Sequence, residues 1–134
     1  MQIRKRVALA AAALLIAAAA PAAQAAGESA NAPAAGPFCY DLSIYFWGEA
    51  GTGPGDNAHW PDRGKWREVW GDCDDINVSL DSGRYVRVCT RNKCHGWVWA
   101  PAHTWTVVFY NSREGADYYL QFQGTAAVNG YLAD

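Results

Sequence analysis

Between Asp75 and Asp81 the chain reads DINVSLD, an unbroken alternation that places Ile76, Val78 and Leu80 on one face. That is the period of a half-buried strand. Asp81, Ser82 and Gly83 supply turn chemistry, and Arg84–Thr90 resumes with Val86 and Val88 on one face. The pattern predicts a hairpin in which the second strand returns on the first. A second hairpin is predicted over Thr104–Gly124, with Trp105, Val107 and Phe109 facing together, Tyr118, Leu120 and Phe122 doing the same, and Asn111–Gly115 as the connection. Further strands are expected at Tyr40–Trp47, Trp97–Trp99 and Val128–Leu132. About seven to eight short strands with almost no helical period indicate an all-β fold, a single antiparallel β-sandwich or small barrel. Asp62–Trp70 fits either a helix, with Trp66, Val69 and Trp70 on one side, or a strand. Before it, Gly48–Arg63 is rich in Gly and Asp and reads as a long loop of the kind that often binds something.

The first 37 residues follow none of these patterns. Arg4, Lys5 and Arg6 precede an apolar run from Val7 to Ala20, and an A-x-A site ends at Ala25. Residues 1–25 are expected to be a signal peptide, too short in its apolar core to span a bilayer, which makes the product secreted. Residues 26–37, AGESANAPAAGP, contain no aromatic or β-branched residue and should form an extended, mobile arm. The folded domain is expected over 38–134.

Export changes the charge. The precursor has 11 basic and 13 acidic residues; losing Arg4, Lys5 and Arg6 leaves 8 against 13, a net charge of about −5. An acidic chain without a basic stripe is a poor match for nucleic acid or for an anionic membrane, and neither is expected as a partner.

Four cysteines in an exported chain read as two disulfides. Cys89 and Cys94 flank the polar stretch Thr90–Lys93, which suits a hairpin tip; a bridge there leaves Cys39 to pair with Cys73. Spacing leaves the other two pairings open, and a zinc site on Cys89, Cys94 and His95 is the competing chemistry.

No catalytic signature is present: no G-x-S-x-G elbow, no H-E-x-x-H pair, no phosphate loop. Asp72, Asp74 and Asp75 are the one dense acidic cluster, but an EF-hand frame from Asp72 places Ile76 at a ligand position, so a solvated strand end is the expectation. His59, His95 and His103 are scattered and read as surface or turn residues. Asn77-Val78-Ser79 is formally a glycosylation sequon, lying within a strand. Neither a metal nor a cofactor is expected, and the chain reads as a non-enzyme.

The aromatic excess is the remaining signal. All seven Trp lie beyond residue 37, more than one small core needs. Trp97 and Trp99 share a face at i, i+2, and Trp60 stands beside Pro61 in the long loop with little to cover it. Tryptophan is enriched at interfaces and sugar platforms because its ring is large, rigid and polar at one edge. Trp60, Trp66, Trp97 and Trp99 are therefore the candidate binding residues. The expected function is a secreted protein-binding module; a carbohydrate-binding module and an inhibitor of a secreted hydrolase are the alternatives.

Residues Cys73–Val78, Arg84–Cys89, Trp97–Pro101 and Tyr119–Phe122 resemble small secreted actinobacterial proteins of uncharacterised function. The signal peptide, short Ala/Pro arm and cystine-linked β-domain are also similar to the adaptor subunits of secreted umbrella toxin particles. That resemblance implies an adaptor that bridges a large toxin protein and a lectin-like subunit through its N-terminal extension. Trp66-Arg67 is similar to the Trp-Arg-Tyr motif of tendamistat-type amylase inhibitors, with Glu68 in place of the Tyr.

Overall fold

The computed structural model describes residues 38–134, so the expected signal peptide and arm at 1–37 lie outside the described residues. Nine strands and no helix are found among those described: β1 (Ile44–Gly48), β2 (Ala58–Trp60), β3 (Arg67–Glu68), β4 (Ile76–Leu80), β5 (Arg84–Thr90), β6 (Val98–Ala100), β7 (Thr106–Phe109), β8 (Asp117–Phe122) and β9 (Val128–Ala133). They form two antiparallel sheets, β1-β9-β4-β7 and β2-β8-β5-β6, with β3 pairing on β8 beyond β2. The all-β expectation holds, with more strands than the period alone revealed, because β2 and β3 lie in the segments read as a loop and as ambiguous. The two sheets are joined at an edge: a Glu49–His59 bridge ties the end of β1 to β2, and elsewhere the His103 amide donates to the Leu80 carbonyl at 2.7 Å.

Both predicted hairpins are corrected. β4 pairs with β7 and β9, whereas β5 pairs with β6 and β8, so Asp81–Gly83 carries the chain from one sheet to the other. The Asn111–Gly115 connection does the same between β7 and β8. A period of two reports that a strand has one apolar face. It is the same whether two strands lie side by side with that face shared or stand opposite with the faces meeting.

Here they meet. Phe46, Val78, Leu80 and Leu132 of one sheet and Val86, Val88, Leu120 and Phe122 of the other are each at most 2 % exposed. Phe46 stacks on Phe122 across the gap, centroids 5.7 Å apart. Burying each such side chain is worth about 1.5–3 kcal/mol relative to leaving it in water. Gly130 permits the close approach of β9 to β4: a Cβ there would stand 2.5 Å from the Ser79 carbonyl oxygen and 2.9 Å from Leu80 Cα, both backbone atoms.

A smaller cluster closes one end of the sandwich. The Cys39–Cys73 disulfide packs with Ala133, and Tyr40 lies against Trp105 at 4.5 Å. The second disulfide is Cys89–Cys94, as favoured from the hairpin-tip argument, and no cysteine is free. Two disulfides fit an oxidising compartment. Among the described residues no helix is long and apolar enough to cross a membrane.

Two polar expectations change with burial. Asp75 is 5 % exposed and accepts from the Asn111 amide at 2.8 Å, so it fastens a turn rather than ending a strand in solvent. Asn77 is 1 % exposed and donates to the Asp75 carbonyl at 3.0 Å, which makes the sequon inaccessible in the folded domain.

Candidate functional site

The outer face of the five-stranded sheet gathers most of the residues of interest. Its register aligns His59 of β2 with Gln121 of β8, and Gln121 with Arg87 of β5. Arg87 lies over the Trp97 ring at 4.4 Å, so this row runs across the whole sheet. Arg87 also donates twice to Gln121 Oε1, at 2.8 and 2.6 Å, which orients the amide with its nitrogen turned to the Tyr119 hydroxyl at 3.4 Å.

At the β5–β6 end the face is aromatic and cationic. Tyr85 and Trp99 are cross-strand partners in edge-to-face contact at 5.1 Å, and they are 44 % and 51 % exposed. Ser82–Ser112 carries Arg84, Arg87, Arg91 and Lys93 and no Asp or Glu. In a domain this acidic, that stretch is the basic island. Thr90 to Lys93 forms the tip of the β5–β6 hairpin, closed by the Thr90 amide to Lys93 carbonyl bond at 2.9 Å and by the Cys89–Cys94 disulfide.

At the other end the chain folds back over the sheet. After the cis Trp60–Pro61 bond, Asp62–Lys65 turns, closed by the Lys65 amide to the Asp62 carbonyl at 2.9 Å, with Gly64 at φ 77°. The left-handed conformation there favours glycine. Trp66 then lies edge-on to Tyr119 at 5.3 Å with the Arg91 guanidinium 4.0 Å over its ring, and Arg91 in turn pairs with Asp117 at 2.7 Å. Beneath this loop is a cavity of about 300 Å³ lined by His59, Trp66, Tyr119 and Gln121, together with Asp56, Asp62, Arg63 and Lys65.

The loop base is held by Asp56. Its Oδ2 accepts from the Thr52 amide and hydroxyl, both at 2.7 Å, and pairs with Arg63. The Thr52 backbone bond, then the Thr52 hydroxyl, then Arg63 hold its carboxyl down to about 2 from the ordinary 3.8. A depressed value means that the clamp is complete above pH 3.8 and is lost as pH falls through 2. The Thr52 amide resonance should therefore titrate with a midpoint near 2 by NMR; a midpoint near 3.8 would show that the clamp is absent in solution.

His59 stands apart from the expectation that it is a surface residue. It is 6 % exposed, Nδ1 has no hydrogen-bond partner, and Nε2 lies 3.0 Å from Glu49 Oε2 but outside the alignment a ring N–H bond needs. A buried polar group without a partner costs about 1–3 kcal/mol. The other histidines are where a structural role puts them: His95 packs on Phe109 at 4.7 Å and His103 is exposed at φ 53°.

Comparison with protein-family models, with curated proteins and with solved structures finds no match.

Of the four predicted tryptophans, Trp66 lines the cavity, and Trp97 and Trp99 share the outer face. Trp60 lies on β2, half-buried against the core with its ring 5.3 Å from Phe46, not uncovered in a loop. Tyr119, Gln121 and Arg87 were missed. Their signal was the polar phase of the same alternation that marked β5 and β8 as strands. No group of three or more His, Cys, Asp or Glu is placed to hold a metal ion among the described residues, and Cys89 and Cys94 form a disulfide, not a zinc site.

Proposed function

We propose that this is a secreted, non-enzymatic recognition module that docks a protein partner on the β5–β6 end of its five-stranded sheet. The observation that carries the reading is the Tyr85–Trp99 pair, exposed on β5 and β6 and flanked by half-buried Arg87 stacked on Trp97. Tyr, Trp and Arg dominate binding energy at protein interfaces, and rings held by one another lose little freedom on docking. Arg84, Arg87 and Lys93 on β5 and its tip, with Arg91 already paired to Asp117, favour a partner whose docking surface is acidic. Against catalysis stands the cavity lining, which has no Ser, Thr or Cys nucleophile and whose Asp56 has its Oδ2 taken up by Thr52 and Arg63.

An adaptor in an extracellular toxin assembly is the more specific form of this reading. There the N-terminal arm would take one partner and this face another. Enrichment from culture supernatant tests it, with the full secreted protein as bait. A captured partner should bind about thirtyfold more weakly to a Tyr85→Ala, Trp99→Ala variant. It should also weaken as salt rises, and bind as wild type does when Trp47, exposed on β1 of the other sheet, is replaced by Ala. Equal binding by wild type and the Tyr85, Trp99 variant would remove this face as the docking surface.

A further inference from the structure

The cavity beneath the Asp62–Trp66 loop has properties that a protein-docking platform does not use. His59 is a side chain more than nine-tenths buried that lines this space, with Nδ1 unpartnered and Nε2 facing only a misaligned carboxylate. A neutral imidazole offers one donor and one acceptor. Beside it, Gln121 has its oxygen occupied by Arg87, while its nitrogen has only the 3.4 Å contact to Tyr119. Trp66 and Tyr119, 5.3 Å apart and at 79°, form an aromatic corner on the same cavity. Among the residues that line it, two acids, Asp56 and Asp62, balance two bases, Arg63 and Lys65.

We propose that this cavity is a binding site for a neutral pyranose unit, its C–H face against the Trp66–Tyr119 corner and its hydroxyls bonded to His59 and Gln121. Each element selects that class. A balanced lining gives an anion no advantage over a neutral molecule. An apolar ligand would leave His59 Nδ1 buried without a partner, whereas a sugar hydroxyl donates and accepts at once. The volume of about 300 Å³ is at the small end of ligand pockets and suits one ring, not a chain. This site adjoins the β5–β6 platform through Arg87, which holds Gln121, but Tyr85 and Trp99 do not line it, so the two are tested apart.

The test uses the wild-type protein, following the His59 ring nitrogens by NMR and tryptophan fluorescence. The probes are methyl glycosides of glucose, galactose, mannose and N-acetylglucosamine up to about 10 mM, with glucuronate and inorganic phosphate as anionic counter-probes. At least one neutral glycoside should shift the His59 nitrogens and change the fluorescence. His59→Ala and Gln121→Ala should each weaken that binding about tenfold. The Tyr85→Ala, Trp99→Ala variant should bind the sugar as wild type does, which separates this site from the protein platform. Preference for glucuronate or phosphate, or no His59 shift with any neutral glycoside, overturns the proposal. Should His59→Ala fail to fold, Gln121→Ala and the wild-type ring shifts still decide it.

Discussion

Replacing Asp134 with alanine is expected to lower the unfolding free energy by about 3–5 kcal/mol, read by urea denaturation with tryptophan fluorescence. The side chain is 4 % exposed, and Arg67, itself 13 % exposed, grips both its oxygens at 3.0 and 2.9 Å. The Tyr118 hydroxyl donates to the same carboxylate at 2.5 Å, and Trp70 lies under the guanidinium at 4.1 Å. Truncation leaves a guanidinium and a buried phenol without their acceptor. That costs far more than the net worth of the intact pair. The same group predicts an alkaline limb. Burial first, then the Asp134 charge and hydrogen bond, push the Tyr118 hydroxyl well above its ordinary 10. A raised value means that the protonated phenol contributes fully below pH 10 and that its contribution is lost as pH climbs through the folded value. Stability should fall above pH 10 in wild type and less steeply in Tyr118→Phe. A loss below about 1 kcal/mol for Asp134→Ala would mean that the network is solvated, as exposed pairs are.

The strands of this fold are legible in the sequence wherever one face is apolar for several residues, as in Ile76, Val78 and Leu80, because burial on one side is what alternation encodes. Strand partners are not legible in the same way. Asp81–Gly83 has the composition of a hairpin turn, yet it bridges the sheets, since turn residues supply a reversal without stating how far apart the two strands lie. β2 and β3 escaped because three and two residues cannot display a period. Their strand state comes from the β8 edge that they pair with, a tertiary cause.

The candidate site divides along the same line. Trp66, Trp97 and Trp99 could be named from residue type, because an excess of large rings over core volume must come to the surface. His59 could not. Its burial depends on a loop folding over a sheet, and its unmatched ring depends on how Glu49 and Gln121 are aimed. Reading the polar phase of β8 as a surface in its own right would have found Tyr119 and Gln121.

The two disulfides should separate stability from recognition. Replacing Cys39 and Cys73 with alanine opens a loop of 34 residues and should cost about 4 kcal/mol on the loop-entropy account. Replacing Cys89 and Cys94 opens a separation of 5 and should cost about 2 kcal/mol. The gap should widen in practice, because Cys39 and Cys73 are 1 % and 4 % exposed and pack with Ala133, so their loss also opens a space in the smaller cluster. Cys94 is exposed, with its sulfur 3.7 Å from the Tyr119 hydroxyl. Its bridge closes the tip that carries Arg91 and Lys93, the basic end of the hairpin whose other end holds Tyr85 and Trp99. Losing the second bridge should therefore loosen partner binding out of proportion to its small effect on unfolding. Losing the first should do the reverse, provided that binding is measured well below the lowered melting point. Urea midpoints of the two double-alanine variants, set beside their affinities for the captured partner, give the comparison. A Cys89, Cys94 variant less stable than the Cys39, Cys73 variant would show that loop length is not what governs the two bridges.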